Sequence, residues 1–203
     1  MEFLVDEVQM STIRFLENYT ANLISVIQTI PLGQVDLGIQ ELQRARLDGS
    51  RVFIIGNGGS AATAAHMVID LTKNSVNVGF RRIRVSSLSD NAPSVTAWAN
   101  DVSYDSIFSE QLYSLAADGD LVIAISTSGM SPNLLKAVET ARFLGLTSMG
   151  LTGASGGDLK NLVDIHIPVS SQAPAQIEDA HHAIGHMMAT AIGANLDSHG
   201  PGE

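Results

Sequence analysis

Three of the chain's six histidines, His181, His182 and His186, crowd into one short stretch directly behind Glu178 and Asp179. On a helix, Glu178, His182 and His186 step by four along one face. Histidine and carboxylate are natural zinc ligands, and histidine is the side chain best suited to moving protons near neutral pH. A purely structural cluster would read the same way. His66 and Asp70 form a second acid–imidazole pair, again four apart and able to meet on one helix face. A core histidine beside a surface acid leaves the same spacing. A third stretch carries different chemistry: Ser126, Thr127, Ser128 and Gly129 offer small hydroxyls and backbone N–H groups, and Ser131-Pro132 supplies a helix N-cap followed by proline at the first helical position. A phosphate sits well there, because a helix N-terminus presents unpaired N–H groups and a partial positive charge. The alternative is a plain strand-to-helix turn.

The elements around these residues alternate. Residues 121–125 form a continuous apolar run that reads as a strand buried on both faces, as a parallel sheet covered by helices requires. A second such strand, 51–55, runs into Gly56-Asn57-Gly58-Gly59-Ser60-Ala61. That string fits the loose dinucleotide pattern G-x-G-x-x-G/A, but the strand region 83–87 does not end on the acid that would hold a ribose. The glycines are better read as letting backbone approach a ligand, with Ser60 capping an Ala-rich helix over 61–71. No Gly-Lys-Ser/Thr follows either loop, which excludes a Walker loop. Apolar spacing predicts a long amphipathic helix over 1–30, positioned to pack on helices of this chain or of another subunit, and a second helix over 35–47. Trp98 reads as packing. Asp101 is a candidate cap for a helix over 104–115 or a ligand-facing residue. Beyond the central loop come a helix over 132–144, a strand over 147–152, a short helix over 156–162, a strand over 164–169 and a last helix over 175–195. This alternation predicts right-handed βαβ units in a three-layer α/β/α sandwich with a central parallel sheet. Both loops fall at carboxyl ends of strands, where such folds bind ligands. The expected organisation is a helical extension over 1–48, a ligand-binding domain over 49–195 and a polar tail over 196–203.

Composition narrows the function. The net charge of −10 argues against nucleic acid, whose phosphates need Lys and Arg, and the single basic cluster Arg81, Arg82 and Arg84 reads as a solvated edge. The absence of cysteine removes any disulfide framework or thiolate nucleophile. Neither a signal peptide nor a membrane-spanning run is apparent, so the expectation is a soluble cytoplasmic protein.

The stretches GNGGSAATAAHMVIDL, SDNAPSVTAWANDVSYD, GDLVIAISTSGMSPNLLKAVETAR, LTGASGGDLKNLVDIHIPV and QIEDAHHAIGH, in this order, resemble the SIS-domain phosphosugar isomerases, most of all the branch acting on sedoheptulose 7-phosphate. The resemblance implies an aldose–ketose isomerase that works through an enediol(ate), as a homotetramer with sites between subunits. It assigns the phosphate to Ser126, Thr127, Ser128 and Ser131. It lines the sugar with Asn57, Gly58, Gly59, Ser60, Asn100, Asp101 and Glu178. The catalytic pair falls on Asp70 and His186, and zinc, one per subunit, on His66, Asp70, Glu178 and His186. Three departures stand out. Asp70 shortens the family's glutamate, Glu178 replaces its usual glutamine, and His182 is an extra histidine whose spacing allows it to compete with His186, the residue the family favours. The rival reading is a non-catalytic SIS module that binds sugar phosphates or a partner such as a replication initiator. Such a module would keep the Ser/Thr loop and lose the acid and the histidine, both of which this chain retains.

Overall fold

The computed structural model describes residues 2–76 and 78–194. Two helices, α1 (Glu2–Gln28) and α2 (Leu32–Asp48), precede β1 (Arg51–Gly56), α3 (Gly59–Ile69), β2 (Arg84–Ser87), α4 (Ala92–Asp101), α5 (Ser109–Leu115), β3 (Leu121–Ser126), α6 (Pro132–Phe143), β4 (Thr147–Gly153), β5 (Ile165–Val169) and α7 (Pro174–Gly193). The five strands form one parallel sheet in the order β2-β1-β3-β4-β5. The expected three-layer sandwich is therefore the fold. The tail expected over 196–203 lies outside the described residues.

Alternation along the strands explains the layers. In β1, Val52 and Ile54 join one core while Phe53 and Ile55 join the other; β3 repeats this with Leu121, Ile123 and Ile125 against Val122 and Ala124. All nine side chains are buried. Each buried Val, Ile, Leu or Phe contributes about 1.5–3 kcal/mol of apolar burial, so these two strands anchor both layers. On one face the core takes Leu42 of α2, Ala64 and Met67 of α3, and Ile184 and Met188 of α7; on the other it takes Leu112 of α5 and Ala137 and Val138 of α6. Trp98 packs against the second core, as expected. The chain leaves β1 toward β2 on one side and returns to β3 on the other, so a crevice opens beyond the carboxyl ends of β1 and β3. Gly56 pairs in register with Ile125, which sets the two candidate loops side by side.

Several local expectations need correcting. The third helix starts at Gly59, behind Gly58 (φ 54°), so Ser60 lies inside its first turn and caps nothing. Its far end does not stop at residue 71. It widens into a π-helical turn, Asp70–Asn74, closed by the Ser75 N–H on the Asp70 carbonyl at 3.2 Å. Asp101 ends α4 and caps no following helix; the next turn, Tyr104–Ser106, is 3₁₀. The helix expected over 156–162 reduces to the 3₁₀ turn Leu159–Asn161. Ser131 occupies the N-cap of α6, with Pro132 following, but its side chain makes no capping bond. The basic edge is solvated: Arg81, Arg82 and Arg84 are exposed, and Arg81 and Arg84 donate to the carbonyls of Leu47 and Gly49.

Candidate active site

α3 and α7 lie side by side and run in the same direction. Thr63 meets His182 and His66 meets His186, pairs offset by 119 and 120 positions, and the backbone of Gly59 faces the Glu178 carboxylate. Small residues keep the seam tight: a Cβ at Gly185 would stand 2.7 Å from Met67 Cγ. Both helices begin at the carboxyl edge of the sheet. The seam therefore has an upper end beside the loops and a lower end two helical turns farther on.

At the upper end, a cleft of about 490 Å³ is lined by Thr127, Ser128, Ala154, Ser155, Ser171, Gln172, Pro174 and Ile177. Of the four expected phosphate hydroxyls, Thr127 and Ser128 line it. Ser128 Oγ accepts the Met130 N–H at 3.2 Å, which leaves its own proton free for an anion. Ser126 is buried beneath, its Oγ accepting the Gly129 N–H at 3.0 Å, so it shapes the turn. Gly129 has φ 66°, and a Cβ there would run into the Gly156 carbonyl. Only glycine lets the two loops close on each other. The lining carries no charge, so an anion there would rest on hydroxyls, amides and the N-terminus of α6.

Asn57 exchanges two hydrogen bonds of 2.9 Å with the buried Asn133, and its Oδ1 also accepts the Tyr104 hydroxyl at 3.0 Å. The sugar-side loop is thereby locked to the first turn of α6. Asn133, Tyr104, Ser155, Ser171 and Gln172 were not among the predicted site residues. Ser155 and Ser171 follow strand ends, and that position was their available signal. Gly58 and the buried Ser60 form the turn into α3. Asn100 and Asp101 pair with each other at 2.7 Å on the exposed end of α4.

At the lower end, His66 Nε2 and His186 Nε2 lie 2.9 Å apart, and Asp70 Oδ2 stands 3.4 and 3.3 Å from them. Glu178 does not join this group, since eight residues of helix place it about 12 Å from His186 along α7. His182 is not in this group either: its ring lies 5.0 Å from that of His66, and its Nδ1 pairs with the Thr63 hydroxyl at 3.0 Å. The structure thus separates the two histidines that the sequence left equivalent. The Asp70 side chain is 6% exposed, while His66 and His186 are 47% and 54% exposed. Asp70 Oδ2 is buried without a hydrogen-bond donor, and an ionised oxygen in that position is expensive unless a cation or proton faces it. The ligand atoms of His66, Asp70 and His186 all lie within 4.8 Å of one another. Two imidazoles and a carboxylate are a fitting donor set for a catalytic metal with an open position.

His181 points the other way, into the core. It is fully buried, neither ring nitrogen has a hydrogen-bond partner, and burial pushes its pKa down to about 4. α1 rests on α7 through the Tyr19 hydroxyl, which donates to Asp179 Oδ2 at 2.8 Å; that bond raises the phenol's pKa. Elsewhere α1 leaves Ile13, Phe15, Leu16 and Ile24 exposed. Among the described residues no helix is long and apolar enough to cross a membrane.

Comparison with known proteins agrees with this layout. The signature of the SIS domain matches residues 15–153. A probable phosphoheptose isomerase from Thermoplasma acidophilum is 38% identical over 157 residues, covering 77% of this chain and 86% of that protein. A phosphoheptose isomerase from Campylobacter concisus is 35% identical over 161 residues, covering 79% and 85%. The solved structure of a phosphoheptose isomerase from Neisseria gonorrhoeae superposes with a TM-score of 0.83 at 26% identity, covering 89% of this chain and 98% of that one.

Proposed function

The chain belongs to the SIS-domain family and to its phosphoheptose isomerase branch, and from that premise we propose how its two ends share one reaction. The enzyme is an aldose–ketose isomerase, and its substrate is sedoheptulose 7-phosphate. The observation that carries the chemical assignment is the convergence of His66 Nε2, Asp70 Oδ2 and His186 Nε2 on one point. A non-catalytic sugar-phosphate module would have no use for that group.

Thr127 and Ser128, with Ser131 and the α6 N-terminus, hold the phosphate, and Ser126 fixes their turn. Asn57, Gly58, Gly59, Ser60, Asn100 and Asp101 face the sugar hydroxyls. Phosphate binding far from the reacting carbons holds those carbons in line. Asp70 Oδ2 removes the proton from the carbon beside the carbonyl and returns one to the neighbouring carbon, through an enediol(ate). His186 carries the proton between the two oxygens and opens the sugar ring. Zinc would be held by His66, Asp70 and His186 and would polarise the carbonyl, and Asp70 Oδ2 and His186 Nε2 move protons only while they are not ligating it.

Helix geometry argues that the site is assembled from two copies. Glu178 is expected to share a ligand set with His186, yet the two lie about 12 Å apart on one helix. A second chain that brings its Glu178 and phosphate loop to the exposed His66 and His186 of the first removes the conflict. The apolar stripe of Ile13, Leu16 and Ile24 on α1 supplies surface for such contact, in keeping with a homotetramer in which residues 1–48 assemble and 49–195 bind the sugar phosphate. We also assign the enzyme to the cytoplasm, because a phosphorylated sugar is too polar to cross a bilayer unaided.

Complementation tests the reading. Ser128→Ala and Asp70→Asn chains are prepared separately, then unfolded and refolded together, and isomerisation is followed at substrate far below the wild-type KM, where a raised KM makes the Ser128→Ala chain slow as well. Mixed oligomers should regain about a quarter to a half of wild-type activity, since some interfaces join two intact halves. A mixture no more active than its parents, with wild type active and oligomeric, would remove the shared site. Wild type inactive with and without zinc would remove the isomerase.

A further inference from the structure

We infer that Asn74 is a positioning residue for the Asp70 carboxylate, fixing which of its oxygens meets the two imidazoles. This rests on the reading of Asp70 given above. Asn74 Nδ2 donates to Asp70 Oδ1 at 2.7 Å. That leaves Oδ2 as the oxygen that faces His66 and His186, buried and without a donor of its own. The division of labour follows from the backbone. Asp70 opens the π-helical turn and Asn74 ends it, and such turns recur at functional sites because they re-aim the side chains they carry. The turn is braced from α7, the helix that supplies His186: Gly193 lies so close that a Cβ there would stand 2.5 Å from the Asn74 carbonyl oxygen. The amide thus sits between the carboxylate and the end of the helix bearing its imidazole partner.

An amide bond to an ionised oxygen is stronger than a neutral one and removes the freedom of the carboxylate to rotate. Without it, Oδ1 and Oδ2 exchange places, and a short aspartate has little reach with which to recover the geometry. Outer partners that orient metal ligands typically affect affinity or activity by about 10- to 100-fold.

The test uses Asn74→Leu, close in size but without a donor, and Asn74→Asp, which keeps the shape and replaces the donor by an acceptor. Zinc affinity of the metal-free protein is measured by competition with a chelating dye, alongside kcat and KM for sedoheptulose 7-phosphate. Both variants should bind zinc about 10- to 100-fold more weakly and lose a similar factor in kcat, with KM within about twofold because the phosphate end is untouched. If Asn74→Leu does not fold, Asn74→Asp decides the question alone. A folded variant that keeps zinc affinity and kcat within twofold of wild type overturns the positioning role and leaves the isomerase reading intact. Wild type that neither binds zinc nor isomerises the sugar overturns both.

Discussion

The two ends of the α3–α7 seam are made from different material. The upper end is backbone and small hydroxyls: Thr127, Ser128, Ser155 and Ser171 on loops that follow strands. The lower end is three titratable side chains, His66, Asp70 and His186, projected from two helices. Loops at strand ends present amides and hydroxyls for a rigid, sequence-tolerant grip on phosphate. Helices, which expose no free amides along their length, deliver titratable groups at set heights instead. One end should therefore control binding and the other chemistry, and substitutions can test how cleanly that division holds.

The sharpest test is at the lower end. Asp70→Asn keeps the shape and removes the base, so kcat should fall by about 10²- to 10⁴-fold, with KM for the sugar phosphate within about threefold. Steady-state kinetics settle it, and a KM that rises along with the loss of kcat would break the division. The inner face of α7 gives a stability counterpart. In the folded chain His181 stays neutral until the pH nears 4, whereas in the unfolded chain it takes a proton below about 6.5. The unfolded state thus binds more protons throughout that window. His181's contribution is fully present above the upper value and declines as pH falls through the window, by about 3 kcal/mol in all. Urea unfolding at pH 7 and pH 4.5 should show a smaller loss for His181→Leu than for wild type. Equal losses would mean that its burial is relieved in some other way.

At the upper end, Ser128→Ala should raise KM by about 10- to 100-fold, the worth of one hydrogen bond to a charged group, and leave kcat nearly unchanged. Inorganic phosphate, used as a competitive inhibitor, should weaken by the same factor. If kcat falls instead, the phosphate grip is also setting the geometry of the reacting carbons, and the two ends are coupled.

The contrast between the ends also explains what could be read without coordinates. The loops were legible because their chemistry is local: an apolar run, then Ser/Thr/Gly, then Ser-Pro before a helix. The strands followed from apolar runs whose alternating residues feed two cores. The lower end was legible only as pairs. His66 and Asp70 are four apart on one helix, but whether His182 or His186 joins them depends on the offset between α3 and α7, which is a fact of packing. Thr63 claims His182, and no spacing announced that. The π-helical turn was invisible for a similar reason, since Ile69-Asp70-Leu71 continues a helical pattern without a breaker. Ser60 has the residue type of a cap, but the glycine two positions earlier, with its positive φ, starts the helix sooner.

Gly59, where α3 and α7 meet at the upper end, gives the smallest and most discriminating effect. A Cβ there would collide first with the Glu178 carboxylate, and the position has no positive φ. Gly59→Ala should therefore leave stability unchanged or raise it by about 0.5–1 kcal/mol, the usual advantage of alanine over glycine in a helix. The end of a flexible glutamate yields more easily than a packed core, so the change should appear as a displaced Glu178. If Glu178 contributes to sugar or metal in a neighbouring copy, activity should fall by about three- to tenfold, less than a full ångström of misplacement at the reacting carbons would produce. A double-mutant cycle identifies the cause. In a Glu178→Ala background, Gly59→Ala should lower activity no further, because the carboxylate it displaces is already gone. An undiminished loss in that background would mean that Gly59 acts through its own amide in the sugar loop, and that the upper end reaches one turn farther into α3 than the division drawn here allows.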